Sequence, residues 1–195
     1  MKLFGLTGGI GMGKSAAAEI LAERGVSLID TDLLARSIVE PGQPALKEIQ
    51  RAFGDSIISP DGKLRRDALA RIVFSDPAAR QKLEEITHPR IRELWRTQIE
   101  VWRTQQVSKA CVVIPLLFET NAESELDATI CVACSAATQQ KRLLERGWTT
   151  EQIAQRMAAQ LPIEKKIAKA TFVAWNEGSL EILAAQIDSI LARHR

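Results

Sequence analysis

Sulfur is scarce in this chain: Cys111, Cys131 and Cys134 are its three cysteines among 195 residues. An odd, small number in a chain this long excludes a disulfide framework. Cys131 and Cys134 form a C-x-x-C, a spacing used in zinc and redox sites. No second pair accompanies them, and the two histidines, His88 and His194, are remote in sequence. The pair falls in "ATICVACS", which reads as a buried strand, where residues three apart point to opposite faces. Buried structural thiols are expected.

Long apolar runs are missing too. No stretch reaches the roughly 18 residues of a membrane span. Met1 to Leu6 meets glycine too soon to build a signal peptide's apolar region, so a cytoplasmic location is expected. An excess of one charge is also absent. The 26 basic and 24 acidic residues leave a net charge of +2, too even to imply a nucleic-acid or membrane partner. Internal repeats, low-complexity runs and flexible linkers are absent, and the length suits one domain with one substantial core.

Glycine, by contrast, is locally dense. "GLTGGIGMGKS", residues 5–15, holds five glycines in eleven positions. Gly8-x-x-x-x-Gly13-Lys14-Ser15 has the form of a phosphate-binding loop, and it lies between an apolar strand and a helix. The glycines let backbone N–H groups turn toward phosphate oxygens, and the helix beginning at Lys14 aims its positive end at the same anion. Lys14 can reach the terminal phosphates, and the Ser15 hydroxyl can ligate the magnesium that accompanies a triphosphate. Gly5, inside the strand, reads as a close backbone approach.

Two further absences narrow the use of the loop. No N-K-x-D guanine motif is present, which argues against a switch GTPase. No acidic pair closes the strand in "ACVVIPLLFE", which argues against a motor ATPase. A small-molecule kinase remains.

Strands are expected at Leu3–Thr7, Val26–Ile29, Ala110–Ile114, Ala128–Ala133 and Thr171–Trp175. Helices are expected at Ser15–Arg24, Leu33–Val39, Pro44–Phe53, Ala136–Arg146, from Thr149, at Pro162–Ala170 and at Ser179–Ala192. Thr149-x-x-Gln152 fits a capping box. "SPDGK" at 59–63 is a turn. Arg65 to about Gln106 reads as helical with one break, at His88-Pro89. Beyond it Ile91, Leu94, Trp95, Ile99 and Trp102 mark an apolar face. Alternating strands and helices imply an α/β fold with a five-stranded parallel sheet flanked by helices.

Ligands of such sheets gather at the carboxyl ends of the strands. Asp30 and Asp32 follow the second strand. Asp32 is favoured to take the proton of an acceptor hydroxyl, and Asp30 to be structural or to hold metal through water; either can instead cap the next helix. Leu116, Leu117 and Phe118 follow the third strand. Core packing is the better reading for any one of them, and an apolar substrate arm is the other. Arg142 and Arg146 share a helix face, and Arg156 and Gln160 repeat the spacing. A solvated face is the usual reading of an isolated basic helix; beside a triphosphate such arginines can clamp the migrating phosphoryl group, and Gly147 would let this unit move as a lid. His88 at the helix break stands open between a packing role and a functional one.

The motifs together resemble the dephospho-CoA kinase family nearly end to end: "GLTGGIGMGKS", "LIDTDLLAR", "VEPGQPAL", "DGKLRRDALARIVFSDP", "LEEITHPRI", "IPLLFE", "QQKRLLERGWTTEQIAQRMAAQ" and "WNEG". The resemblance implies phosphorylation of the ribose 3′-hydroxyl of dephospho-CoA by ATP with magnesium. It implies a P-loop kinase fold with a helical substrate-binding part at about 55–105 and a helical lid at about 136–160. Gly11, Met12, Gly13, Lys14, Ser15 and Ala16 would form the ATP loop, with Arg142 and Asn176 near the nucleotide. Asp32, Lys14 and Arg142 would be catalytic. Thr7, Asp32, Arg66, His88 and the Leu116-Leu117-Phe118-Glu119 run would face the acceptor. ATP and dephospho-CoA would be the partners of a monomer or small homo-oligomer. Ala16 departs from the family's usual threonine, and Trp175 from a usual small or acidic residue. The alternatives are a nucleoside or nucleotide kinase with the same loop, and a nucleotide-dependent binding protein without transfer activity.

Overall fold

The computed structural model describes residues 1–193, so His194 lies outside the described residues. The chain divides into two compact units, one of residues 1–30 and 101–195, the other of Thr31–Glu100.

The first unit is built on a parallel sheet in the order β2-β3-β1-β4-β5. Its strands are β1 (Lys2–Gly8), β2 (Ser27–Asp30), β3 (Lys109–Val113), β4 (Ala128–Ala133) and β5 (Phe172–Trp175). β1 lies at the centre because its run Leu3–Gly8 is buried throughout. It pairs Leu6 with Val113 on one side and with Ile130 on the other. Gly5 is the close approach expected: a Cβ there would meet Leu117 Cδ1 at 2.6 Å.

Helices α1 (Lys14–Glu23) and α9 (Leu180–Ala192) pack with the sheet in one core that includes Phe4, Leu6, Leu21, Ile130, Leu183 and Ile187. Each such fully buried side chain is worth about 1.5–3 kcal/mol. Helices α6 (Ala136–Glu145), α7 (Thr150–Ala158) and α8 (Ile163–Lys169) follow β4. α7 starts with the expected capping box between Thr149 and Gln152. It ends at Ala158, which leaves Gln160 beyond the helix rather than on the face of Arg156. All three cysteines are free and buried, as expected. Burial raises the Cys131 thiol to about 11, although the charges of Lys166 and Lys14 pull the other way. No described helix is long and apolar enough to cross a membrane.

The second unit holds α2 (Thr31–Ser37), α3 (Pro44–Phe53), α4 (Arg66–Ser75) and most of α5 (Pro77–Thr104). It therefore takes in α2 and α3 together with the helical stretch expected from about residue 55. Its core contains Val39, Leu46, Ile49, Ile57, Leu69 and Ile86. The 59–63 turn closes as expected, with an isolated bridge between Ile58 and Leu64.

The helix does not break at His88-Pro89. α5 runs through Pro89, and the interruption falls earlier, at Asp76 before Pro77. Both prolines disfavour a helical residue before them. At Pro77 the proline opens the next helix, where its missing N–H costs nothing, and Asp76 Oδ1 accepts the Ala78 N–H at 2.8 Å. At Pro89 flanking contacts hold the turn: the Arg90 guanidinium donates to Ile86 O and pairs with Glu48 at 2.6 Å. Trp95, Ile99 and Trp102 are buried on the expected face of α5, whereas Leu94 is 41% exposed.

Candidate active site

β1 ends in the glycine loop, and α1 begins at Lys14 with Gly13 as its left-handed cap, without a side-chain cap and without an acidic residue in the first turn. The opening N–H groups of a helix have no helical carbonyl to bond. An anion suits them, and no carboxylate of the first turn competes. Gly13 has φ 102°, and a Cβ there would sit 1.9 Å from Asn176 Nδ2. At Gly8 a Cβ would sit 2.2 Å from Val132 O. Both positions therefore demand glycine for space as well as for backbone angle.

Lys14 Nζ donates to the carbonyls of Gly8 and Gly9 at 3.0 and 3.1 Å. Its ammonium thus lies over the loop. Ser15, the next residue on α1, is exposed. A hard cation takes oxygen ligands, and the Ser15 hydroxyl is an open oxygen at this place; among the described residues no group of three or more metal-binding side chains is gathered.

The carbonyls of the loop are held by residues the sequence did not single out for that work. Gln139 Nε2 donates to Ile10 O at 2.8 Å, and Asn176 Nδ2 donates to Met12 O at 3.0 Å. Asn176 is itself fixed by its N–H to Ala133 O at 2.7 Å. It is buried, so it supports the loop from within the fold. Thr7 is likewise fully buried, with its hydroxyl donating to Pro115 O at 3.2 Å. Gln139 lies four residues before buried Leu143 on the inner face of α6; that spacing was the one available signal.

Arg142 lies on α6, and its Nη1 is buried without a hydrogen-bond partner among the described residues. A buried guanidinium nitrogen is costly to leave unpaired, so an incoming acceptor is the natural complement. Its charge reaches Glu177, whose carboxyl is held down to about 2 by the Ser135 N–H first, then by the Thr138 and Ser135 hydroxyls and Arg142. Glu177 thereby ties the end of β5 to the start of α6. Arg156 on α7 lies over the Trp148 ring at 4.4 Å.

The Glu177 clasp carries a pH signature. A carboxyl held below its usual 4.5 adds stability that is fully present above pH 4.5 and is lost as pH falls toward about 2. Glu177→Gln is therefore expected to unfold at a lower urea midpoint than the parent at pH 7, with the gap closing near pH 2. Equal gaps at both pH values would refute the assignment.

The run after β3 is mostly interior. Leu117 and Phe118 are buried, Leu116 and Glu119 partly so. Leu117 and Phe118 are interior side chains, and neither presents an open surface.

In the second unit, Asp32 lies in the first turn of α2 and is exposed. Arg66 opens α4 and lines a cavity of about 320 Å³ whose other walls include Val39, Ile49, Leu69, Val73 and Leu83. An exposed arginine on the edge of an apolar cavity suits a ligand with an anionic group and an apolar arm. His88 is not among its walls. It is half-buried inside α5 rather than exposed at a break. Burial lowers its pKa below the usual 6.5, with Glu84 opposing, so the ring is neutral at pH 7.

The family model for dephospho-CoA kinase matches residues 2–181. A dephospho-CoA kinase of Anaeromyxobacter dehalogenans is 45% identical over 193 residues, covering 98% of this chain and 92% of the relative. A solved Thermus thermophilus structure superposes with a TM-score of 0.86 at 35% identity, covering 100% of this chain and 98% of the other. The dephospho-CoA kinase of Campylobacter jejuni does so with a TM-score of 0.72 at 29% identity and the same coverage.

Proposed function

This chain belongs to the dephospho-CoA kinase family, and from that premise we propose how its residues perform the reaction. The enzyme transfers the γ-phosphoryl group of ATP to the 3′-hydroxyl of dephospho-CoA, giving CoA and ADP. The bond from the γ-phosphorus to the bridging oxygen of ADP breaks, and a bond from the 3′-oxygen to phosphorus forms.

The observation that carries the residue assignment is the strand–loop–helix cradle with Lys14 lying on its carbonyls. The opening N–H groups of α1 bind the phosphates. Lys14 exchanges the carbonyls of Gly8 and Gly9 for phosphate oxygens. Arg142 directs its unpaired Nη1 to the nucleotide side. Asp32 orients the 3′-hydroxyl and takes its proton as the oxygen attacks. Magnesium, when bound with ATP, neutralises phosphate charge; Ser15 would hold it directly and Asp30 through water.

The Thr31–Glu100 unit receives the acceptor. Arg66 meets its diphosphate, and the apolar cavity beside it takes the pantetheine arm. The lid expected at about 136–160 is carried by α6 and α7, residues 136–158, and it excludes water from a reaction that would otherwise hydrolyse ATP. A cytoplasmic location accompanies this reading, since the phosphoryl donor is ATP.

The test is a product assay with ATP, magnesium and either dephospho-CoA or a nucleoside monophosphate. Dephospho-CoA is expected to give the faster ADP release and a stoichiometric 3′-phosphorylated product. Faster turnover of the nucleoside monophosphate would overturn the acceptor assignment.

A further inference from the structure

A lysine side chain with no exposed surface requires an explanation, because a buried unpaired ammonium is very costly. Lys166 on α8 is such a residue, with a side-chain exposure of 0%. Its Nζ donates to Pro115 O at 2.7 Å and lies 2.9 Å from Glu119 Oε1. The same Oε1 accepts the Leu161 backbone N–H at 2.7 Å. Glu119 Oε2 is buried without a hydrogen-bond partner among the described residues. The carboxylate therefore depends on Lys166 and Leu161 for its compensation.

The position of this pair gives it a meaning. Pro115 O also accepts the Thr7 hydroxyl, one residue before the glycine loop. Ile163 and Ile167, on the same short helix as Lys166, pack with Met12 of the loop. Leu161 lies where the chain leaves α7, three residues past its end at Ala158. At the other end of this segment, Ser135 is clasped by Glu177. Two carboxylates thus hold the two ends of residues 136–158.

We infer that Lys166 and Glu119 are positioning residues for phosphoryl transfer: a buried ionic pin that fixes the C-terminal hinge of the lid to the end of β3 and the floor of the phosphate loop. The inference rests on the reading of 136–158 as a lid. With the pin in place, movement is confined to the part of that segment beyond Gln139, whose bond to Ile10 O anchors the start of α6 to the loop, and each closure returns the lid to the same place. Without it the hinge loosens, closure is imperfect, and water competes with the acceptor for the γ-phosphoryl group. That side reaction consumes ATP and water and gives ADP and inorganic phosphate.

The test compares the parent enzyme with the double variant Lys166→Met/Glu119→Met. Removing both charges together avoids leaving one buried and unpaired. Hydrogen exchange is read with and without β,γ-imido-ATP, and inorganic phosphate is counted against phosphorylated acceptor. In the parent, the analogue is expected to protect 136–158, while 159–166 is protected in both states. In the variant, 159–166 is expected to lose protection, and free phosphate per acceptor phosphorylated to rise at least about tenfold, with the Kd for ATP within about threefold of the parent. Wild-type exchange over 159–166, or an unchanged phosphate ratio, would overturn the pin alone. No protection of 136–158 in the parent would overturn the lid and the pin with it. Should the double variant fail to fold, the polar double variant Lys166→Gln/Glu119→Gln, which also removes both charges, is read by the same two measurements and the same criteria.

Discussion

Asp32→Ala is expected to lower kcat by about 10²–10⁴-fold, the usual worth of a positioned general base, while the Kd for ATP stays close to that of the parent. The asymmetry follows from its assigned task, which concerns the acceptor oxygen and not the nucleotide. Folding should be almost untouched. Asp32 is exposed in the first turn of α2, where a carboxylate adds about 0.3–1 kcal/mol through the helix dipole. Asp32→Asn keeps the shape but cannot take a proton, and it should be impaired nearly as severely. Steady-state kinetics, nucleotide titration and a melting curve separate these cases. An unchanged kcat in either variant would remove Asp32 from the mechanism.

Lys14→Ala is expected to cost about 2–4 kcal/mol of transition-state stabilisation, or about 30- to 1,000-fold in kcat/KM. The ammonium donates to the loop carbonyls of Gly8 and Gly9. Those bonds are worth about 1 kcal/mol each in stability, so the melting temperature should fall only slightly. The main loss arises when charge builds on the migrating phosphoryl group. Lys14→Arg restores charge but brings a larger, planar group over a loop whose neighbours leave little room, and it should recover only part of the activity. A variant that loses stability while the folded fraction turns over normally would contradict the charge role.

The donor side of the reaction was legible in the sequence because it is local. A strand, a glycine loop and a helix start are consecutive in the chain, and hydrogen bonding and steric room among neighbours dictate their geometry. Gly13, Lys14 and Ser15 could be named from spacing alone. The buttresses could not. Asn176 reaches the Met12 carbonyl across 164 residues of chain, and Gln139 reaches Ile10 across 129. The four-residue spacing of Gln139 from Leu143 hints that it faces inward, but nothing local marks which carbonyl either side chain reaches.

Pro89 illustrates the complementary failure. The rule that proline disfavours a helical predecessor is local, and it holds at Asp76-Pro77. At His88-Pro89 the turn continues under contacts that come from elsewhere, including Glu48 on α3. His88 changed character with it, from an exposed residue at a break to a half-buried neutral ring within a continuous helix. Glu119, expected to face the acceptor, forms an ion pair in the structure with the fully buried Lys166, a residue that spacing and composition do not single out.

By itself, then, the sequence determined the succession of strands and helices along the chain, the phosphate loop, the carboxylate after the second strand and the family to which these belong. Each is encoded by residues close together in the chain or by a long ordered set of motifs. Tertiary structure alone decided which polar side chains stand inside supporting the loop, which prolines break helices, and how the ends of the 136–158 segment are held. Those outcomes depend on burial, and burial is a property of the whole packed chain. A lysine and a glutamate 47 residues apart become one ion pair only when folding removes water from both.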